Sequence, residues 1–342
     1  MSKAIRKGGL AGSLNRVGPR AQVAAGAGFV AAAPVLIALA DVSTATTSFY
    51  KCVFATPVLA VIALRDRRRH GPFQPRVLPL LFVAGVMIGL DFALFTQSIK
   101  LAGAGIASIL VNVQIVVLPV LGLILYRERL RRQYVAVVPL MFVGIALAAG
   151  VAETGGHQNQ LLYGAFLAVT AGVAYSVYLF IVARVDTRGR AGTQVFVTTV
   201  VSGIVGSTIS LTWGGIDLAP GWQSLAWLAA MALGSSVIGW ILIGRALYRL
   251  PADVGAAILL LQPVISLVLA IGILAERPSV LQLCGCAIVV VAIWFVGRKP
   301  GGHGVDDVAD PTALGRPPET GPTLQMPESA DLKCANRARM RP

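Results

Sequence analysis

The chain has 342 residues, of which 56% are hydrophobic and 13% charged, with a mean hydropathy of +0.76. Soluble domains carry roughly 45–50% apolar and about 25% charged residues, so this composition excludes an ordinary water-solvated fold. A net charge of +14 would suit a nucleic-acid binder only if the basic residues formed one patch; they do not, and nucleic acid is not an expected partner.

In chain order, a basic N-terminus over residues 1–21, with Lys3, Arg6, Lys7, Arg16 and Arg20, precedes ten apolar runs. The runs cover 22–40, 46–64, 77–98, 104–126, 134–151, 161–183, 194–213, 224–248, 253–274 and 279–297. Each approaches the about 20 residues that cross a hydrocarbon core. In lipid the backbone must satisfy its own hydrogen bonds, which leaves helices or closed barrels. Barrel strands alternate apolar and polar residues and these runs do not, so they read as helices. The first run ends in Ala38-Leu39-Ala40 and so has the outline of a secretory signal with its cleavage site. Removing it would leave nine spans and move the arginine clusters to the wrong face, so it is taken as the first span. Residues 298–342, rich in proline, glycine and charge, read as a disordered cytoplasmic tail.

The basic residues orient the spans. Arg65, Arg67, Arg68 and Arg69, then Arg127, Arg129, Arg131 and Arg132, then Arg184, Arg188 and Arg190 sit at helix ends. With the N-terminus inside and ten spans following, all 29 lysines and arginines except Lys51, Lys100 and Arg277 fall on the cytoplasmic side. That distribution obeys the positive-inside rule and places both termini in the cytoplasm of a multi-pass cell-membrane protein. Cys52, Cys284 and Cys286 lie within spans and Cys334 in the tail, so no extracytoplasmic disulfide is expected. His70, His157 and His303 stand apart from other ligand types, so neither a metal nor a cofactor is implied.

A shift of 148 residues superposes the two halves: Gln114 falls on Gln262, and Glu128-Arg129 on Glu276-Arg277. The chain is thus two five-helix units, 22–151 and 161–297, joined by an external linker over 152–160. An odd number of helices per unit forces the second to insert upside down. The expected fold is therefore all-α and integral to the membrane, ten transmembrane helices in two inverted five-helix repeats. Such repeats are common in secondary transporters, which bind cargo near the midplane between them.

The segments G-A-G-I-A-S-I-L-V-N-V-Q-I-V-V-L-P-V-L-G-L-I-L-Y-R-E-R and L-L-L-Q-P-V-I-S-L-V-L-A-I-G-I-L-A-E-R-P resemble the fourth and ninth helices of the drug/metabolite transporter superfamily, EamA type. The resemblance spans about residues 22 to 297. It implies a permease for small organic metabolites, often an exporter of amino acids or related compounds. The second copy carries Pro263 directly after its glutamine, whereas the first has Ile115 there and Pro119 four residues later.

Several residues are out of place in lipid. A proline within a helix removes one hydrogen bond and frees a carbonyl about a turn earlier, which makes Pro119 and Pro263 candidate hinges; Pro34 reads as a plain kink. Asn112 and Gln114 lie about 200° apart on an α-helix, so one of them faces another helix. At 1.5 Å per residue, Gln114 and Gln262 lie roughly 15 and roughly 13 Å from the nearer helix ends, close to the midplane. Trp240, with Ser235 and Ser236, and Tyr175 lie deep enough to line a cavity. Lys51 and Asp91 are the costliest: they fall roughly 9 and roughly 12 Å below the outer ends of helices two and three, at the depth of Asn112. Charges there pair with one another or face a watery cavity. Asp91, Lys51, Asn112, Gln114, Gln262, Trp240 and Tyr175 are accordingly the candidate substrate-binding or coupling residues, with the proton as a candidate coupling ion through Asp91. Glu128 and Glu276, at water-facing ends beside arginines, read as end anchors and charge partners.

No G-x-x-x-x-G-K-[ST] is present for a nucleotide, which sets primary transport aside. An intramembrane enzyme would want a second deep aspartate beside Asp91, or an H-E-x-x-H, and neither is found. A passive channel would want rings of like groups. A secondary transporter of a small metabolite is the expectation. Its topology is checked by cysteines introduced near Arg67, Arg131 and Arg188, which resist impermeant thiol reagents in intact cells, while cysteines at 154–159 are labelled; the reverse pattern defeats the ten-span orientation.

Overall fold

A computed structural model describes residues 18–71, 75–126, 132–149, 158–185, 190–239, 242–243, 258–259 and 261–297. Glu128, Trp240, Arg245 and the C-terminal tail lie outside these residues, as does most of the linker over 152–160. Among the described residues ten main helical segments follow one another: α1 Pro19–Ala40, α2 Thr44–His70, α3 Leu78–Ala102, α4 Ala104–Leu125, α5 Arg132–Ala148, α6 Gln158–Ala183, α7 Ala191–Ser210, α8 Trp222–Ala230, α9 Leu261–Leu274 and α10 Val280–Gly297. α8 continues as a π-helix over Met231–Gly239, and α4 is interrupted by a 3-10 turn over Val111–Val113. Among the described residues α1, α2, α3, α4, α6 and α7 are long and apolar enough to cross a membrane, and α9 and α10 are shorter apolar helices.

Local chemistry sets the ends. Pro19 opens α1, where its missing N–H would have had no partner. Asp41, left-handed at φ 46°, closes it by donating its N–H to Ala38 O at 3.2 Å. Ser43 caps α2 by accepting from Thr46 N at 3.0 Å. At its other end α2 runs through Arg67, Arg68, Arg69 and His70, several residues past the apolar run. Apolarity marks only the part of a helix inside lipid, and basic side chains favour the C-terminal end of the helix dipole in water. Between α3 and α4 there is only Gly103, at φ 88°, a backbone conformation that favours glycine.

Contacts between the two units come in matched pairs. α3 packs on α6 as α8 packs on α1; α3 packs on α7 as α8 packs on α2; α4 packs on α6 as α9 packs on α1. The pairs α2–α7, α4–α9 and α5–α10 map onto themselves. This is what a pseudo-twofold between inverted units produces. Alternate connections share a face: Lys100 Nζ donates to Val42 O, Ser43 Oγ to Gly215 O and Tyr50 OH to Leu218 O. On the opposite face Gly192 N donates to Asp66 Oδ2 at 2.8 Å, and Arg190 donates to His70 O.

Small residues let the units approach. A Cβ on Gly85 would lie 2.6 Å from Val201 Cβ, and one on Gly89 would lie 3.0 Å from both Cα and O of Ser202. Gly172 faces the Val111 carbonyl and Gly144 faces Gly285 O in the same way. Lipid tails are as apolar as the helix surfaces, so association rests on this close packing rather than on a hydrophobic drive. Gly89→Val should lower thermal stability in detergent by about 1–3 kcal/mol, whereas Gly272→Ala, with nothing within 4 Å of its Cβ position, should leave the melting temperature within a degree or so. Equal effects would show that the α3–α7 approach is not tight.

Candidate functional site

Where the two units meet, a cavity of about 230 Å³ opens between α1, α2, α3, α4, α6, α8 and α9. Its polar lining is Lys51, Asp91, Ser108, Asn112, Gln114, Tyr175, Ser235, Ser236, Gln262 and Ser266. Phe92, Phe95, Ile37 and Met231 are among its apolar walls. Six of the seven residues that the sequence marks as candidates therefore border one space, contributed by both repeats; the seventh, Trp240, lies outside the described residues. Pro263 also lines the cavity, whereas Pro119, inside α4, does not. Pro34, a plain kink by its sequence, borders the cavity from α1.

The charged pair is the least expected part of the lining. Asp91 is 9% exposed on α3, and Lys51 reaches it from α2 as the charged group with which it interacts. Among the described residues no ion pair within 4 Å joins them. Instead Lys51 Nζ sits 3.4 Å from the centroid of the Phe92 ring, within the range of a cation–π contact. The ring of the residue next to Asp91 thus holds the ammonium, and the carboxylate has no hydrogen-bonding side chain among the described residues. One negative and one positive group face the same space without neutralising each other in a direct pair.

The sequence required that Asn112 and Gln114 diverge, one of them facing another helix. Both line the cavity, and the 3-10 turn at Val111–Val113 is the reason. At 3.0 residues per turn two residues are about 120° apart by the shorter way instead of about 160°, so a wide cavity meets both. Asn112 is partly spent locally, its Nδ2 donating to Ser108 O at 2.6 Å. Gln114 is not: its Oε1 is buried without a hydrogen-bond partner. Tyr175 stacks on Tyr178 with ring centroids 5.8 Å apart, so its ring is packed on one side and borders the cavity on the other.

Ser108, Ser266 and Phe92 do not stand out in the sequence. Ser108 Oγ lies 2.8 Å from Ser266 Oγ across the α4–α9 seam and donates to Ala104 O at 2.6 Å. Serine and phenylalanine are ordinary in a membrane span; the only signal for the serines is that each lies four residues from a marked polar residue on the same helix, Asn112 and Gln262. Glu276, expected as an end anchor, has backbone amides of the opposite repeat as partners. Among the described residues there is no group of three His, Cys, Asp or Glu side chains that could hold a metal ion.

Ten helices in two inverted repeats around a central polar cavity, six of them long and apolar enough among the described residues to cross a membrane, are the architecture of a membrane transporter. The EamA-like transporter family model matches residues 21–150 and 162–298, and the chain belongs to that family, within the drug/metabolite transporter superfamily. A protein of Haemophilus influenzae described as an uncharacterized transporter is 26% identical over 147 residues, covering 41% of this chain and 84% of that protein. A solved crystal structure aligns with 83% of this chain and 96% of its own at a TM-score of 0.52 and 18% identity; that likeness concerns the fold alone. The chain is thus a multi-pass integral membrane transporter and not an enzyme.

A buried acceptor without a partner adds nothing to the stability of the empty protein, and removing it is neutral or stabilising. Gln114→Leu should therefore leave the melting temperature unchanged or raised while reducing transport about tenfold, the worth of a lost hydrogen bond to cargo. Normal transport in both Gln114→Leu and Gln262→Ala would return the two glutamines to packing.

Proposed function

We propose that the protein is a secondary transporter, in the exporting direction, for a small zwitterionic metabolite such as an amino acid, which it carries through the cavity between its repeats by alternating access. The observation that carries this reading is the placement of Lys51 and Asp91 on one cavity without a direct ion pair. An isolated charge at the centre of a span costs about 2.5–3.5 kcal/mol on insertion scales. Two such residues held apart are ready to meet the two ends of a zwitterion, the ammonium on Asp91 and the carboxylate on Lys51. Asn112, Gln114, Gln262 and Tyr175 supply neutral polar contacts, and Phe95, Ile37 and Met231 supply a surface for an apolar side chain.

Asp91 is also the residue on which a proton can travel. A carboxylate that binds a proton on one side of the membrane and releases it on the other couples cargo to the proton gradient, provided cargo binding and protonation exclude each other. With both termini cytoplasmic, as the basic residues suggest, the inward gradient then drives cargo out.

The test uses protein reconstituted in vesicles and a panel of radiolabelled amino acids and their amine and carboxylate analogues. Asp91→Asn should abolish accumulation driven by a pH gradient while exchange at equal concentrations remains measurable, and Lys51→Met should raise KM about tenfold for zwitterions but not for amines. If Asp91→Asn still accumulates cargo, or if Lys51→Ala with Asp91→Ala together restores full activity, the pair is structural and the coupling is lost as an explanation.

A further inference from the structure

The outer end of the α4–α9 seam, on the face that carries the α3–α4 and α9–α10 connections, is closed by contacts that packing alone does not require. Glu276 follows the end of α9, and both its carboxylate oxygens accept backbone hydrogen bonds from the start of α4 in the other repeat: Oε1 from Ala104 N at 2.6 Å and Oε2 from Gly105 N at 3.1 Å. These are orphan amides of a helix start, and a carboxylate is their strongest side-chain partner. The turn that delivers Glu276 is strained. Ala275 is left-handed at φ 54°, a conformation that is unfavourable for an L-residue, and Glu276 N donates back to Ala270 O at 3.3 Å. Glycine normally occupies that position, and strain of this kind persists where the surroundings over-determine it.

The seam continues inward from the carboxylate. Gly105 lies against Leu267 and Ala270 so closely that a Cβ would approach Leu267 Cδ1 to 2.6 Å. The Ser108–Ser266 hydrogen bond follows, and both serines line the cavity. Around the seam a fully buried apolar cluster that includes Val35, Ile99, Ala104, Leu228, Met231 and Ala270 joins the ends of α1, α3, α4, α8 and α9. A carboxylate clamp, an apolar stopper and a serine pair thus lie in sequence between that face and the cavity. Parting α4 from α9 on this face would break the charged bonds of Glu276 and the Ser108–Ser266 hydrogen bond.

We propose that Glu276 is the latch of a gate on this face, so that its grip on the start of α4 sets how often the cavity opens there. The inference rests on the reading of the cavity as the cargo site, but its test reads access rather than flux and so fails independently of that reading. Ser235 lines the cavity from the π-helical end of α8, and Ser235→Cys in full-length protein places a thiol reporter there. Modification by an impermeant maleimide is followed at position 235 by mass spectrometry, so that the native cysteines can stay. The reagent is applied to intact cells and, separately, to inside-out vesicles.

With the latch intact, the introduced thiol should react slowly from the Glu276 face. Glu276→Ala should raise that rate about tenfold, the worth of one lost charge-assisted bond, and lower the rate from the opposite face. Glu276→Gln, which keeps an acceptor oxygen but no charge, should fall between. Three results overturn the proposal: unchanged rates from both faces, a faster rate from both, which marks loosening of the whole bundle, or a shift toward the opposite face. If Glu276→Ala fails to reach the membrane, the same readout on Ser108→Ala, which removes the serine bond of the same seam, decides it: a rise at the Glu276 face supports the gate, and unchanged access from that face refutes it.

Discussion

Five helices is an odd number, and the rest of the structure follows from that. A unit of five begins on one side of the membrane and ends on the other, so its sequel enters inverted and the two associate about an axis in the membrane plane. Association then needs faces that fit when turned upside down. The matched contacts α3–α6 with α8–α1 and α4–α6 with α9–α1 are that fit, and the glycines that let backbone meet backbone, Gly89 at Ser202 and Gly26 at Gly239, allow it where no water is expelled to drive it. The cavity is what remains where the helices of the two units cannot all meet at the axis.

The spans were legible because lipid tolerates little besides long apolar helices, and the repeat was legible because Gln114 and Gln262 fall in register. Lys51 and Asp91 were conspicuous for the same reason: against an apolar background a charge is an anomaly with a known cost. What escaped notice carries no anomaly. Phe92 is unremarkable in a span, yet its ring is where Lys51 rests. Ser108 and Ser266 look like packing residues until the seam brings their hydroxyls within 2.8 Å. The 3-10 turn in α4 and the π-helix of α8 leave no mark in composition, since both depend on how a neighbour crosses the helix. Gly172 pressed against the Val111 carbonyl is one such crossing, and it lies at the turn that brings Asn112 and Gln114 to the same space.

Glu276 shows a different limit. Its position at a helix end beside Arg277 suggested charge pairing, which is what sequence neighbours propose. The partners are amides of α4, about 170 residues away in the chain, and they are available only because α4 starts immediately after the left-handed Gly103. A bond between repeats is invisible to local reading even when the repeat itself is plain.

The pseudo-twofold is broken where the polar chemistry lies. Under the shift of 148 residues Asp91 matches Gly239 and Lys51 matches Thr199. Gly239 is not a neutral filler: it lies against Gly26 O and Val30, so a carboxylate there would force α1 and α8 apart, and the close α1–α8 approach excludes a second acid. Neither Gly239 nor Thr199 is among the residues that line the cavity, so the acid and the base enter it from the first repeat alone. One acid and one base, the ammonium resting on the ring of Phe92, make the lining of the cavity asymmetric. The scaffold repeats, and the polar chemistry it carries does not.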